Sequence, residues 1–258
     1  MRLDLYLVEK GYAPTREKAQ AIIMAGLVQV DGKLANKPGM KIREGQRVEV
    51  KEVPKYVSRG GDKLENALKR FKLKVEGMIA LDVGSSTGGF TQCLLMHGVK
   101  KVYAVDVGRG QMDPKLRHDP RVILYEETDA RELTKEHIPE LVDLITVDVS
   151  FVSARKIVPH VLEFLKEDGT LLLLVKPQFE VGPERLRKGI VKEAEAKKLA
   201  VLKVVDLIKS EGFKICGVIK AKPKGAKGNE EFFVLAKKHA EDMENIQEAI
   251  DNAIGEAI

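Results

Sequence analysis

The sequence predicts a small α+β unit followed by a doubly wound, mostly parallel α/β domain. From about residue 78 onward, short apolar segments alternate with amphipathic ones, which is typical of a parallel sheet covered by helices on both faces. A glycine-rich turn follows the first apolar segment, and the last two segments lie close together, as in an antiparallel hairpin at one edge. We expect four parts: the small unit at 1–52, a linker at 53–60, the α/β domain at 61–240 and an acidic tail at 241–258.

The composition excludes several classes of protein. The 258 residues are 44% hydrophobic and 32% charged, as in ordinary globular proteins, and no apolar run approaches the roughly 18 residues that span a bilayer. Charged residues interrupt the N-terminal segment, which is therefore not a secretory signal. Cys93 and Cys216 are too few for a disulfide framework and predict buried, reduced thiols. We expect a cytoplasmic protein that does not bind a membrane.

The small unit carries the excess of positive charge. The formal net charge is +5, and residues 1–60 hold 12 Lys or Arg against 7 Asp or Glu. A basic module favours a polyanionic partner, although a merely solvated basic face would have the same composition. Within this unit, Thr15 predicts the N-cap of a helix over 16–25, and Asp31-Gly32 predicts a tight hairpin.

The α/β domain begins with a predicted helix. Ser58-Arg59-Gly60-Gly61 indicates a flexible turn, and Asp62 is the expected N-cap, which places Lys63 at the first helical position. Further helices are expected after the glycine-rich turn, ending near Gly98, over 154–166, which Pro159 must kink or restart, and over 191–210. The expected strands are 79–83, 101–107, 122–125, 141–147, 170–175, 213–220 and 231–236.

The glycine-rich turn at 81–90, Leu-Asp-Val-Gly-Ser-Ser-Thr-Gly-Gly-Phe, lies where open parallel sheets bind ligands. Its glycine spacing matches neither the G-x-G-x-x-G dinucleotide motif nor a P-loop. Asp106 ends the second strand and suits the hydroxyls of a ribose, and Asp129 follows the third strand and can accept from an adenine amino group. An adenosyl ligand without phosphates fits, and S-adenosylmethionine is the obvious one; the alternative is an ordinary strand–helix turn with surface acids. The predicted cofactor-binding residues are Asp82, Gly84, Ser85, Gly88, Gly89, Phe90, Asp106 and Asp129.

Four residues are candidates for catalysis. Asp148 and Lys176 follow the fourth and fifth strands, so both should face the crevice beside the glycine-rich turn. A lysine there indicates a function or a structural salt bridge, because an unpaired buried ammonium is costly. Lys63 would oppose the dipole of its helix, and Glu231 begins the last strand. Two lysines beside two carboxylates allow one lysine to act as a base. The histidines and cysteines form no ligand cluster, so we expect no metal.

These residues resemble the motifs of known families. Lys63, Asp148, Lys176 and Glu231, together with Asp82-x-Gly84-x-x-x-Gly88-Gly89, resemble the Lys-Asp-Lys-Glu tetrad and cofactor loop of the FtsJ-like ribose 2′-O-methyltransferases. Arg2-Leu3-Asp4, Thr15-Arg16-Glu17-Lys18-Ala19 and Gly26-Leu27-Val28-x-Val30-Asp31-Gly32 resemble an S4 RNA-binding domain. Joined in this order over nearly the whole chain, the two resemble the TlyA (haemolysin A) family of rRNA methyltransferases.

The resemblance implies a seven-stranded Rossmann-like methyltransferase sheet, S-adenosylmethionine as cofactor, and methylation of a cytidine ribose 2′-hydroxyl in ribosomal RNA or ribosomal subunits. The chain starts almost directly at the S4 motif, and the resemblance then favours 23S over 16S rRNA. Lys176 would be the base, Asp148 would orient it, and Lys63 would keep it neutral or contact the substrate. The predicted RNA-binding residues are Arg2, Arg16, Lys18, Lys33, Lys37, Lys41 and Arg43.

Several alternatives stay open at this point. The basic loop with Lys220, Lys222, Lys224 and Lys227 is either a second RNA contact or a solvated turn, and Phe151 and Phe179 are expected in the core rather than stacked on a base. A non-catalytic rRNA-binding or ribosome-assembly factor would account for the S4-like unit alone. A haemolysin-like membrane-active protein lacks a suitable segment, and a nicotinamide enzyme lacks the glycine spacing.

Overall fold

The computed structural model describes residues 1–51 and 54–257. The chain forms two compact units, Met1–Lys55 and Tyr56–Ile258. The predicted boundary between residues 52 and 53 falls on residues outside the described ranges. A helix already begins at Arg59, within the last residues of the predicted linker.

The first unit packs two helices against a small antiparallel sheet. The Thr15 hydroxyl accepts a hydrogen bond from the Lys18 N–H, which confirms the predicted N-cap, and Asp31 and Gly32 both have positive φ in the hairpin turn. The apolar segment near the N-terminus, for which no helix was predicted, is helical and buries Leu3 and Leu7. Its elements are α1 (Leu3–Glu9), α2 (Arg16–Met24), β1 (Val28–Val30), β2 (Lys33–Leu34) and β3 (Val48–Val50), with sheet order β2-β1-β3.

The second unit is a doubly wound α/β domain, as the sequence predicts. Its helices are α3 (Arg59–Phe71), α4 (Gly89–Met96), α5 (Pro114–Arg117), α6 (Val158–Val161), α7 (Pro177–Glu180), α8 (Ala194–Ser210) and α9 (Ile246–Gly255). Its strands are β4 (Ile79–Val83), β5 (Lys101–Val105), β6 (Val122–Tyr125), β7 (Val142–Val147), β8 (Leu165–Val175), β9 (Lys214–Lys220) and β10 (Phe232–Lys237).

These strands form one seven-stranded sheet in the order β6-β5-β4-β7-β8-β10-β9. The first five strands in that order run parallel, whereas β10 is antiparallel to both β8 and β9, which confirms the predicted edge hairpin. Apolar clusters cover both faces of the sheet, so its central strands are buried on both sides. The order places β4, β7 and β8 side by side, and their carboxyl ends meet at one edge.

The helix predicted over 154–166 is divided into short pieces and ends two residues earlier than expected. Short 3-10 turns at Ala154–Lys156 and Leu162–Phe164 flank α6, and β8 already begins at Leu165. Pro159 lies in the first turn of α6, where its missing N–H costs nothing, so of the two expected outcomes, a kink or a restart, the structure has the restart. Leu165 then pairs with Val142 at the beginning of β7.

The predicted start of α3 is also wrong. Ser58 is the N-cap, and its hydroxyl accepts from the Gly60 N–H, so the segment predicted as a flexible turn is the first turn of the helix. Asp62 lies inside that first turn, where a carboxylate is favoured, and Lys63 lies in the second turn. The expected conflict between Lys63 and the helix dipole therefore does not arise.

The acidic C-terminal segment is part of the second unit. It forms α9, whose Ile250 and Ala253 are buried in the main apolar cluster. Lys220, on β9, is only 2% exposed and donates to the carbonyl oxygens of Ile254 and Glu256 at the end of this helix. Of its acids, Glu248 and Asp251 lie on the exposed face of this helix, whereas Asp242 and Glu256 form ion pairs with lysine and arginine side chains.

Candidate active site

Two adjoining cavities lie at the carboxyl ends of the parallel strands. The first, here called the strand-end pocket, has a volume of about 520 Å³ and lies beyond β4, β5 and β7. The second, here called the crevice, has a volume of about 420 Å³ and extends towards α3 and β8. Their shared wall consists of Gly84, Ser86, Asp148, Ser150 and Phe151.

The strand-end pocket combines apolar walls with a few fixed polar groups. One carboxylate oxygen of Asp106 accepts from the Ser86 N–H at 2.8 Å and the other from the Gly108 N–H at 2.7 Å. Asp129 lies beside Arg131, whose side chain lowers the pKa of that carboxyl to about 2. The apolar lining comes from Val83, Val105, Val107, Ala130, Val149, Val152 and Ile157.

Gly84, in the shared wall, is a glycine at which two backbone segments approach closely. It has φ +83°, and a Cβ at this position would collide with the carbonyl oxygen of Asp148. The end of β4 can therefore approach the backbone that follows β7, and the two segments are joined by the Asp148 N–H to Val83 carbonyl hydrogen bond at 2.9 Å.

The predicted cofactor-binding residues are divided among three places. Gly84, Asp106 and Asp129 line the strand-end pocket, whereas Ser85, Gly89 and Phe90 line the crevice together with Gly84. Gly88, with φ +95°, lines neither cavity, and a Cβ there would meet the Leu116 side chain.

Asp82 does not face either cavity, which corrects the prediction that it binds the cofactor. Its carboxylate is fully buried and accepts from the hydroxyls of Thr91 at 2.7 Å and Thr146 at 2.9 Å. Burial raises the pKa of Asp82 to about 6, against the opposing effect of these two hydrogen bonds. Asp82 therefore holds β4, β7 and α4 together beneath the glycine-rich turn.

The four catalytic candidates form two ion pairs in the crevice. The Nζ atom of Lys176 lies 2.6 Å from Asp148 Oδ1, and the Nζ atom of Lys63 lies 2.6 Å from Glu231 Oε2. All four residues line the crevice. In each pair the two side chains are less than one-fifth exposed. The topology thus brings together residues from α3, β7, β8 and β10.

Ser150 is a member of this group that the sequence analysis missed. Lys176 Nζ donates to Ser150 Oγ at 2.8 Å, in addition to its contact with Asp148. Ser150 follows Asp148 by two positions on the same strand-end loop, and that position is the signal that could have identified it. The lysine amine is consequently held from two sides.

Phe151 is not a core residue, contrary to expectation. It is 93% exposed, has φ +63°, and its ring lies 5.3 Å from that of Phe179 between centroids. Both aromatic residues line the crevice. A positive φ at a large, exposed aromatic residue is uncommon and is typical of functional loops.

The structure separates Glu231 from its neighbour Glu230. Glu231 lines the crevice, whereas Glu230 forms an ion pair with Lys197 outside it.

The lysines of the basic loop are partly engaged within the protein. Lys220 is buried, so at this position neither an RNA contact nor a solvated turn is formed. Lys222 pairs with Glu256, and Lys224 lies 3.6 Å from Glu230.

The first unit presents the seven basic residues predicted to bind RNA. Each of them is exposed. Arg2 and Arg16 both donate to the buried carboxylate of Asp4, each through Nε at 2.9 Å, and the Arg2 guanidinium holds the pKa of Asp4 well below its usual range. Asp4 was missed, although an acid among the leucines of an apolar segment is the signal for a buried partner of arginine.

Two kinds of feature are absent from the residues that the structure describes. At 1–51 and 54–257, no group of three or more histidine, cysteine, aspartate or glutamate side chains is arranged to hold a metal ion. Over the same residues, no helix has the length and apolar character needed to cross a bilayer.

Comparisons with known proteins assign both units. The model of the FtsJ-like methyltransferase family matches residues 56–238, and that of the S4 domain matches residues 1–48. Hemolysin A of Brachyspira hyodysenteriae is 43% identical over 90% of this chain and 98% of its own length. The 16S/23S rRNA (cytidine-2′-O)-methyltransferase TlyA of Mycobacterium tuberculosis strain H37Rv is 37% identical over 99% of this chain and 97% of its own.

A solved structure from Streptococcus thermophilus, named as a hemolysin, superposes with a TM-score of 0.76 at 38% identity, covering 98% of this chain and 94% of that one. These matches extend over both units. This chain belongs to the FtsJ-like methyltransferase family and carries an S4 domain at its N-terminus.

Proposed function

We propose that this protein transfers a methyl group from S-adenosylmethionine to the ribose 2′-hydroxyl of a cytidine in ribosomal RNA. The observation that carries the proposal is the shared wall of the two cavities. Asp148, Ser150 and Phe151 border both the strand-end pocket and the crevice that holds two lysine–acid pairs. A methyl donor in one cavity and a ribose in the other would meet at this wall.

The residues of the strand-end pocket fit an adenosyl group. Apolar side chains suit the faces of an adenine ring, and Asp106 and Asp129 offer acceptor oxygens. A third carboxylate, Asp148, favours a cationic ligand at the wall. When bound, S-adenosylmethionine would supply an electrophilic methyl group that a ribose oxygen can attack, with the carbon–sulfur bond breaking and the neutral thioether leaving.

The crevice supplies the base. A ribose hydroxyl is a weak acid, so its proton must pass to a protein group as the oxygen bonds to the methyl carbon. Lys176 in its neutral form accepts this proton at Nζ, which Asp148 and Ser150 hold in place. Positioning of the amine and the hydroxyl contributes a large part of the rate.

The Lys63–Glu231 pair lines the part of the crevice in which the ribose would bind. Lys63 and Glu231 lie on α3 and at the start of β10, and both line the crevice. Lys63 would contact the substrate from this side of the crevice. Phe151, exposed at the wall, is placed to stack on an unstacked base.

The S4 domain would bind the RNA. Its seven exposed basic residues would mostly contact phosphates, which fix position rather than sequence. We assign 23S rRNA as the first substrate to test and 16S rRNA as the second. The Campylobacter jejuni relative, 39% identical over 69% of this chain and 69% of its own, is named a 23S rRNA (cytidine-2′-O)-methyltransferase.

The test is methyl transfer from radiolabelled S-adenosylmethionine to unmodified ribosomal subunits and free rRNA. The variant Lys176→Ala should lose transfer and keep cofactor affinity, whereas Lys69→Ala, an exposed lysine of α3, should behave as wild type. Label at one alkali-resistant ribose in the large-subunit RNA supports the proposal. RNA binding without any label would instead indicate an assembly factor, and equal transfer by Lys176→Ala would remove Lys176 as the base.

A further inference from the structure

Glu180 is a buried carboxylate that the proposed chemistry does not use. It ends α7, the short helix that follows Lys176, and its side chain is 2% exposed. It lines neither the strand-end pocket nor the crevice. Burying a carboxylate is costly unless its oxygens are satisfied, so its partners reveal what it does.

The partners of Glu180 all lie on the loop that follows β7. Its Oε2 accepts from the Ser153 hydroxyl at 2.5 Å, and its Oε1 accepts from the Ala154 N–H at 2.7 Å. Arg155 Nε lies 3.3 Å from Oε2 and provides a positive charge. Charge-assisted hydrogen bonds of this kind are stronger than neutral ones, so the contact is a firm attachment.

This attachment links the two segments that carry the Lys176–Asp148 pair. Asp148 and Ser150 precede Ser153 on the loop after β7, and Lys176 precedes Glu180 on the turn after β8. Lys176 itself crosses between the segments through its contacts with Asp148 and Ser150. Beyond the last paired residues of the two strands, Val147 and Leu173, a long flexible lysine side chain would otherwise have to hold the two segments together.

We propose that Glu180 is a positioning residue that fixes the loop after β7 against the turn after β8, so that Asp148 and Ser150 meet Lys176 Nζ. The inference rests on the proposed role of Lys176 as the base. Glu180 touches neither the ribose nor the methyl donor in this account. It acts through the backbone at Ala154 and through Ser153, and its loss would let the two loops separate.

The test compares Glu180→Gln with Glu184→Gln, an exposed glutamate four residues further along the chain. Glu180→Gln keeps the size of the side chain but removes its charge. It also replaces one acceptor oxygen with an NH2 group, which would face a hydrogen-bond donor. We expect the single-turnover rate of methyl transfer to fall by about ten- to a hundredfold, because small misplacements of reacting groups are that costly. Ser153→Ala, which removes one partner, should lose less, and Glu184→Gln should lose nothing.

A second readout does not depend on methyl transfer. Reductive methylation by formaldehyde and a borane, followed by mass spectrometry, measures how readily each lysine amine reacts. Lys176 and Lys63 are similarly covered, with side chains 12% and 9% exposed, and the partner of Lys63 does not contact Glu180. A positioning role predicts that Glu180→Gln raises the reactivity of Lys176 several-fold relative to that of Lys63.

The outcomes separate the two hypotheses. If wild-type protein transfers no methyl group, the proposed function fails, and the Lys176 to Lys63 reactivity ratio still decides the role of Glu180. If Glu180→Gln keeps the wild-type rate and the wild-type ratio, the inference is overturned. If both lysines become equally reactive while the thermal midpoint falls, Glu180 is merely structural and the inference is likewise overturned.

Discussion

Lys63 Nζ lies 2.6 Å from Glu231 Oε2, although 168 positions separate the two residues in the chain. Their side chains are 9% and 3% exposed, so each charge is buried against the other. A Cβ on Gly225 would collide with the Glu231 carboxylate, so a glycine in the preceding loop leaves room for the pair. Removing one partner of a buried pair leaves an uncompensated charge, whereas removing both does not.

The Lys63–Glu231 pair therefore gives a prediction in which the double variant regains stability without regaining activity. Lys63→Met and Glu231→Leu should each lower the free energy of unfolding by about 3 kcal/mol, and the double variant should recover part of that loss. Methyl transfer should be lost in all three. Urea denaturation and single-turnover kinetics measure the two effects. Lys69→Met, on the same helix but exposed, should cost under about 0.5 kcal/mol; costs as small for the single variants at the buried pair would contradict the prediction.

Asp82 gives a prediction about pH. Its pKa is raised to about 6 in the folded protein, above the ordinary 3.8, so folding takes up a proton between about pH 4 and pH 6. Relative to Asp82→Asn, the wild-type protein should therefore gain stability as the pH falls from 7 to 5, by about 1 kcal/mol. Urea unfolding of both proteins at the two pH values measures this. A difference that stays constant with pH would show that Asp82 is not the proton-binding group.

Arg16 gives a prediction about RNA binding. Its Nε is held by Asp4, which leaves its terminal nitrogens for a phosphate. Arg16→Gln should weaken RNA binding and reduce the slope of log affinity against log salt by roughly 0.7–0.9. Arg16→Lys should restore the binding only in part, because an ammonium cannot bond to Asp4 and a phosphate in the same fork geometry. Lys10→Gln, an exposed lysine outside the predicted set, is the control, and an equal effect there would refute a specific role for Arg16.

Ile250 gives a prediction about the acidic segment. It is fully buried on α9 within the main apolar cluster, whereas Ile254 on the same helix is half-buried. Ile250→Ala should lower the free energy of unfolding by about 2–4 kcal/mol, and Ile254→Ala by less. The measurement is urea denaturation with an unchanged dependence on denaturant. If Ile250→Ala were neutral, α9 would not belong to the folded domain.

The alternation of elements and the strand ends could be predicted because they depend on local pattern. Short, nearly continuous apolar runs, followed by Asp106, Asp148 or Lys176, place polar groups at the carboxyl edge of a parallel sheet whatever its order. The start of α3 could not be predicted reliably. Ser58 and Asp62 are both good N-caps, and only the packing of the helix decides between them.

The directions of individual side chains also could not be predicted from the sequence. Asp82 and Asp106 both end or nearly end a strand, yet one is buried beneath the glycine-rich turn and the other lines the strand-end pocket. Phe151 and Phe179 would suit a core by composition, but the loop conformation leaves Phe151 at the surface. These outcomes depend on which backbone groups and hydroxyls lie nearby, and those come from other elements.

By itself, the sequence determined the fold class, the two-part organisation of basic unit and α/β domain, and the residue types at each strand end, because period, turn chemistry and charge are local properties. Only the tertiary structure decided which side chains contact one another. Lys63 pairs with Glu231, Lys176 with Asp148 and Ser150, and Glu180 with the loop after β7. Each of these contacts joins residues from different elements, and the sheet order, which no local pattern encodes, brings those elements together.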